Sequence, residues 1–215
     1  MKKALAMIVI SSALFCSGCS TAWIGEAEQI VSVLVPASTN LVTLAATLQG
    51  SVSPADLHTI QAADTQVESD LQLMQSLIAQ YQKAEAATQP GLLGQIQAAT
   101  TGTQSELSGI LPSLHIKDAA TQAKVSAVVG LLLSEVQSMA AIVPLVKPGP
   151  STARMSLAPT QIRQQPPLTA GEFVSSYNAL MTAKTGNIEL DRATSGLRIH
   201  AHGKLARWAS AGLLK

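Results

Sequence analysis

Residues 53–81 read SPADLHTIQAADTQVESDLQLMQSLIAQY, and this stretch decides the fold class. Ser53 is a good N-cap, Pro54 suits the first helical position, where a missing N–H costs nothing, and Asp56 puts an acidic group in the first turn. From there Leu57, Ile60, Asp64, Val67, Leu71, Met74, Ile78 and Tyr81 recur at alternating spacings of three and four. Such spacing lays one apolar stripe along a helix, interrupted at Asp64, whose place Ala63 can take. Gln89-Pro90-Gly91 closes the element.

Three neighbouring stretches carry the same period. Leu93, Ile96, Thr100, Thr103, Leu107, Ile110 and Leu114 form a stripe with a polar threonine layer and a break near Pro112. Val125, Val129, Leu132, Val136, Met139 and Val143 follow a start near Asp118 and stop at Pro144. Before them Trp23, Ala27, Ile30, Leu34, Leu41, Ala45 and Leu48 give a first helix that Pro36 bends or divides. Four apolar faces joined by short Pro/Gly turns bury one another best as a bundle. The expected fold is therefore all-α, an antiparallel four-helix bundle over residues 19–146. Composition agrees: with 3% aromatic and 13% charged residues, the chain suits small-residue helix packing and not an all-β fold. The tetrapeptide IQAA at 60–63 returns at 96–99, but in so Ala- and Gln-rich a chain one echo does not make a repeat protein.

After Pro144 the texture changes. Residues 147–167, KPGPSTARMSLAPTQIRQQPP, have no apolar period and read as a Pro-rich linker. Residues 168–215 then form a small helical C-terminal module. Thr169-Ala170-Gly171-Glu172 fits a capping box, starting a helix through Phe173, Tyr177, Leu180 and Met181 that ends around Gly186-Asn187. The last helix is expected from Glu189 to Leu213, with Leu197, Ala201, Leu205, Trp208 and Gly212 on one side. Arg198, His200, His202, Lys204 and Arg207 take the others. Charge divides along the same boundary. From Cys19 to Val146 there are ten acidic residues against Lys83, Lys117 and Lys124; from Lys147 there are nine basic residues against Glu172, Glu189 and Asp191. A basic amphipathic helix with a tryptophan points to Arg198, Lys204, Arg207 and Trp208 as contacts for an anionic partner: a lipid surface, an envelope protein or a polymer. The same charges also suit docking on the acidic bundle, of this molecule or of a second copy.

The N-terminus carries its own signature. Lys2 and Lys3 precede an uncharged run, Ala4 to Phe15, too short to span a bilayer and the right size for the apolar core of an export signal. It leads into Cys16-Ser17-Gly18-Cys19, which resembles the lipobox of bacterial lipoproteins. Ser17, Gly18 and Cys19 match; Cys16 departs from the family, which usually has leucine there. The resemblance implies that residues 1–18 are a signal peptide, that Cys19 is acylated and holds the protein on a membrane, and, because Ser20 follows where Asp would favour inner-membrane retention, that the site is the outer membrane facing the periplasm. Cleavage after Ser20-Thr21-Ala22 also satisfies the small-x-small rule and would give a soluble periplasmic or secreted chain. Both cysteines lie in this segment, so the mature chain has no disulfide or thiol chemistry. In composition the chain is similar to small Ala-rich helical envelope lipoproteins, which implies no activity.

Catalytic signatures are lacking in the sequence. His200 and His202 diverge by about 200° on a helix and cannot share a metal; His58 and His115 are isolated. No serine sits in a nucleophile elbow, and the PGLLG at 90–94 has neither the lysine nor the preceding strand of a phosphate loop. No cofactor or metal is expected, and the tail's aromatics do not interleave as a nucleic-acid platform. Residues 29–55 carry no charge and 125–146 carry only Glu135, so a membrane-active protein that inserts these helices is the alternative; Pro36 and Glu135 oppose it. The expected function is that of a non-enzymatic envelope lipoprotein, a binding or structural module.

Overall fold

The protein was analysed as a computed structural model that describes residues 22–47, 52–113, 115–144 and 168–200. The described elements are all helices: α1 (Ala22–Thr47), α2 (Pro54–Lys83), α3 (Gln89–Ser113), α4 (Ala119–Ile142), α5 (Ala170–Thr182) and α6 (Ile188–Ser195). The 1–18 signal segment, Cys19, the 147–167 linker, Lys204, Arg207 and Trp208 lie outside the described residues.

Local chemistry starts each of the clearer helices. Ser53 Oγ accepts the Asp56 N–H at 3.1 Å, and Pro54 opens the first turn of α2. Asp118 does the same for α4, accepting from Thr121 N at 2.9 Å. The stripe on α2 is buried from Ile60 to Tyr81, with Leu57 half-buried. Asp64 does not interrupt it. Ala63 and Asp64 both face inward, because Ser38 Oγ of α1 donates to Asp64 Oδ1 at 2.8 Å and gives the carboxylate a partner inside the packing. Burial nonetheless outweighs that bond and, with a smaller push from Glu68, raises the Asp64 carboxyl to about 6.

Neither internal proline divides its helix. α1 runs through Pro36, and α3 through Pro112 to Ser113. A proline within a helix removes a backbone bond and costs about 3 kcal/mol. In α1 that cost is offset by burial on both sides, from Ile30, Val31, Val33 and Leu34 before the proline and Ala37, Leu41 and Leu44 after it. Pro112 stands one residue from the end of α3, so only the final turn is affected.

Packing makes the elements a helical bundle. α1 packs against α2 and α4, and α3 against the same two helices; α5 lies on α4 and α1, and α6 on α5 and α1. Trp23 meets Tyr81 edge-on with ring centroids 5.2 Å apart, Met74 Sδ of α2 meets Thr100 Oγ1 of α3 at 3.4 Å, and Gln97 Nε2 donates to the Pro144 carbonyl at 2.9 Å. α2 and α3 approach closely at Gly102, where a methyl group would stand 2.7 Å from Asp70 Oδ2. Phe173, Val174, Tyr177, Met181, Leu190 and Ile199 belong to the same apolar core as the four long helices.

The C-terminal segment differs from its sequence pattern in two places. The Thr169 capping box is present, but α5 ends at Thr182, not at Gly186-Asn187. Gly186, at φ +86, makes the turn, and Asn187 caps the next helix by accepting from Glu189 N and Leu190 N. α6 then stops at Ser195, so the expected helix from Glu189 to Leu213 is not continuous, and Arg198 lies beyond it on non-helical chain. The reason is competition for backbone groups. Asn178 of α5 accepts the Ile199 N–H at 2.8 Å and donates to the Ile199 carbonyl at 2.9 Å, while Asn40 of α1 donates to the Leu197 carbonyl at 2.8 Å. Side-chain amides hold the groups that another helical turn would need.

Two substitutions test this core. Met74→Ala should lower unfolding free energy in urea by about 2–5 kcal/mol, whereas Leu73→Ala, at a site 47% exposed, should change it by less than about 0.5 kcal/mol. Asp64 binds its proton more tightly folded than unfolded, so its contribution to stability falls as pH rises from about 4 to about 6. Asp64→Asn should remove that slope and the roughly 3 kcal/mol of stability it costs by pH 7, read from urea midpoints across pH.

Candidate functional site

α4 reads AATQAKVSAVVGLLLSEVQSMAAI, and its only charged residues are Lys124 and Glu135. Eleven residues apart, they fall within about 20° of each other around the helix axis. Both are buried. Their shared face is the one along which α5 lies, so a seam runs between α4 and α5 with an ionisable group from α4 at each end.

At one end Lys124 Nζ donates three hydrogen bonds, to the carbonyls of Met181 (3.3 Å) and Ala183 (2.9 Å) and to Thr194 Oγ1 (2.8 Å). The carbonyls belong to the last turn of α5 and its C-cap, where unpaired acceptors and the negative end of the helix dipole favour a cation. All three protons of the ammonium are used, which is why it can be buried. Burial lowers the Lys124 pKa, and the Asp191 carboxylate of α6 opposes that. Asp191 is itself held below its ordinary range, first by the backbone N–H of Thr185 and also by the Thr185 hydroxyl.

The other end is built differently. Glu135 is wholly buried, and neither carboxyl oxygen has a hydrogen-bond partner among the described residues. Three donors at the start of α5 are engaged elsewhere. Leu168 N donates to Ser138 Oγ at 2.8 Å, Thr169 N to Glu172 Oε2 at 2.9 Å, and Glu172 N to Thr169 Oγ1 at 3.3 Å. The Ser134 and Ser138 hydroxyls turn back to the carbonyls of Gly130 and Ser134. Burial, helped by the negative Glu172, pushes the Glu135 carboxyl up to about 8. Between the two ends sits Tyr177, wholly buried and stacked on Phe173, its hydroxyl without a hydrogen bond of ordinary geometry; burial raises it to about 12 despite the opposing approach of Asn40.

Of the residues that the sequence marks for anionic contact, Arg198 is exposed just after the Leu197 carbonyl bound by Asn40. His58 and His115 are exposed, the latter 3.3 Å from Asp56, and His200 is exposed next to the buried Ile199. No group of three or more His, Cys, Asp or Glu side chains among the described residues is arranged to hold a metal. A shallow open groove of about 600 Å3 lies where α2 turns into α3, lined by Gln80, Lys83, Thr88, Leu92 and Gln95. α4 is the one helix, among the described residues, long and apolar enough to cross a membrane by length and composition. No known protein family, curated protein or solved structure matches the chain.

The seam is therefore the most chemically distinctive place in the described structure, and the period-based reading passes over it. The available signal is the i, i+11 pair of charges on a helix otherwise free of them. Lys124→Met, which keeps the buried length and removes the donors, leaves two carbonyls and a hydroxyl dry; we expect a loss of about 2 kcal/mol or more in urea unfolding, with α5 exchanging its amides faster than α2.

Proposed function

We propose that the protein is a lipid-anchored helical protein of the bacterial envelope that acts as a non-enzymatic binding module, with the basic C-terminal chain as the contact for an anionic partner. One observation carries the reading. The chain is pinned to the bundle through Leu197 and Ile199, Arg198 between them is exposed, and the sequence beyond holds Lys204, Arg207, Trp208 and Lys215 with no acidic residue. A rigid body thus delivers the start of a basic segment at a defined point. For the bundle we propose the antiparallel four-helix arrangement. Trp23 with Tyr81 and Ser38 with Asp64 pair α1 and α2 in opposite directions, and Asp56 with His115 and Met74 with Thr100 do the same for α2 and α3. The anchor in this reading is Cys19, with the outer membrane, periplasmic side, as its place; a soluble periplasmic form cleaved after Ala22 is the variant without lipid.

A second reading, insertion of α4 into a membrane, is favoured by that helix's length and apolarity. It requires Lys124 to leave three acceptors and Glu135 to enter lipid, at a cost of about 2.5–3.5 kcal/mol for each charged group at the bilayer centre.

Fractionation and vesicle binding separate these readings. Intact mass of the mature protein should show a diacylglycerol-modified N-terminal Cys19, and Cys19→Ser should move the protein from membrane to soluble fractions. The soluble form should bind vesicles of anionic lipid in a salt-sensitive way, weakened by Lys204→Ala with Arg207→Ala, and release no trapped dye. Dye release would favour insertion, and an unmodified chain beginning at Trp23 would remove the lipid anchor.

A further inference from the structure

We propose that α5 and α6 form a latch on α4 that closes when Glu135 holds its proton and loosens when Glu135 ionises. The inference stands apart from where the protein is held. It rests first on the geometry of the seam. A carboxyl group with no accessible surface and no hydrogen bond to either oxygen tolerates the neutral state far better than the anion, because the anion loses its hydration and gains no donor in return. The usual remedy, an N–H group at a helix N-terminus, does not reach Glu135: neither of its oxygens has a partner among the described residues, and Leu168 N, Thr169 N and Glu172 N are bonded elsewhere.

The charges facing Glu135 reinforce this. α1, α3 and α5 all pack against α4, and among the described residues only Glu172 of α5 exerts a charge on Glu135; it is negative. Glu172 is itself held ionised below its ordinary range by the Thr169 backbone N–H and hydroxyl. Moving α5 away relieves both problems at once, hydrating Glu135 and separating it from Glu172. At the far end Lys124 faces Asp191 and neutral acceptors, so that contact acts as the hinge side of the latch. Opening would uncover Phe173, Val174, Tyr177 and Met181 together with the face of α4 beneath them, an apolar surface hidden while the latch is shut.

The sign follows from linkage. The closed state binds the Glu135 proton more tightly than the open state, where the group has an ordinary carboxyl value of about 4.5, against about 8 closed. Between those limits each unit of rising pH releases one proton on opening and favours the open latch about tenfold; above the upper limit the effect levels off.

The test is hydrogen exchange on the full chain between pH 5.5 and 7.5, expressed as protection relative to the intrinsic rate at each pH. Amides of residues 172–182 should lose protection about a hundredfold across this range, while those of α2 and α3 lose much less. Glu135→Gln should abolish the loss. Glu172→Gln, which preserves an N3 side chain able to cap, should make the loss level off at a lower pH, and it supplies the test if the first variant does not fold. Flat protection in the wild type overturns the proposal. So does a slope that survives in Glu135→Gln, which would belong to another group, and so does loss in step across α2, α3 and α5, which would be global unfolding.

Discussion

The rest of the structure depends on α4 being packed on three sides. α1, α3 and α5 all lie against it, and the face that α5 covers leaves a charge no access to water, although Gln122, Ala127 and Gln137 elsewhere on the helix are exposed. Yet two of its residues are ionisable, and the architecture around them reads as two solutions to one problem. Lys124 is given three acceptors, which an ammonium needs when buried. Glu135 is given none, and holding its proton is the remaining way to be buried. The C-terminal carbonyls of α5 are thereby held on Lys124, while its length is set by the Thr169 capping box and the Ala183 C-cap.

The same economy appears elsewhere in the core. With 3% aromatic residues the chain has few large side chains to fill space, so polar groups are admitted where a short partner can satisfy them. Ser38 satisfies Asp64, and Thr100 and Thr103 return their hydroxyls to carbonyls one turn back at Ile96 and Ala99. Such bonds let a small polar side chain occupy an apolar stripe at the cost of little volume. The helices can then approach closely, as α2 and α3 do at Gly102.

How much of this was legible beforehand depends on the range of the interaction. The four long helices, the Ser53 and Asp118 caps and the Thr169 capping box are local events, written in spacings of three and four and in residues three apart, and they are present. But α2 ends at Lys83, and Gln89-Pro90-Gly91, which the pattern takes as its close, opens α3 instead. Asp64 looked like a gap in its stripe because its partner, Ser38, is 26 residues away. The continuity of α1 through Pro36 was hidden for a similar reason: burial contributed by other helices, not local propensity, holds it. Apolar periodicity does not disclose the seam, because it assigns charged residues to the outside of a helix, whereas Lys124 and Glu135 lie on the face that α5 covers. Cys19, the basic Lys204 and Arg207, and Trp208 remain readings of sequence alone.

The end of α6 shows the general point most directly. From Leu197 onward the sequence has a plausible helical face, and the local signal against continuing is Gly196, the C-cap of α6. What fixes the chain beyond it is Asn178, 21 residues earlier, whose amide matches both backbone groups of Ile199, and Asn40, 157 residues earlier, which takes the Leu197 carbonyl. Each of those bonds would be redundant if the helix continued, since the same backbone groups would be paired internally. Their formation therefore trades helical bonds of equal number for ones that also fix the segment to α1 and α5. That exchange is favourable because the segment brings Ile199 into the core while leaving Arg198 and His200 in solvent. Alternate residues pointing in and out is what an extended chain provides and a helix does not, so burying this one isoleucine and exposing its charged neighbour are a single choice of backbone. The docking of the last described residues is thus decided by apolar burial and two amide clamps, and the basic charge is left free on the outside.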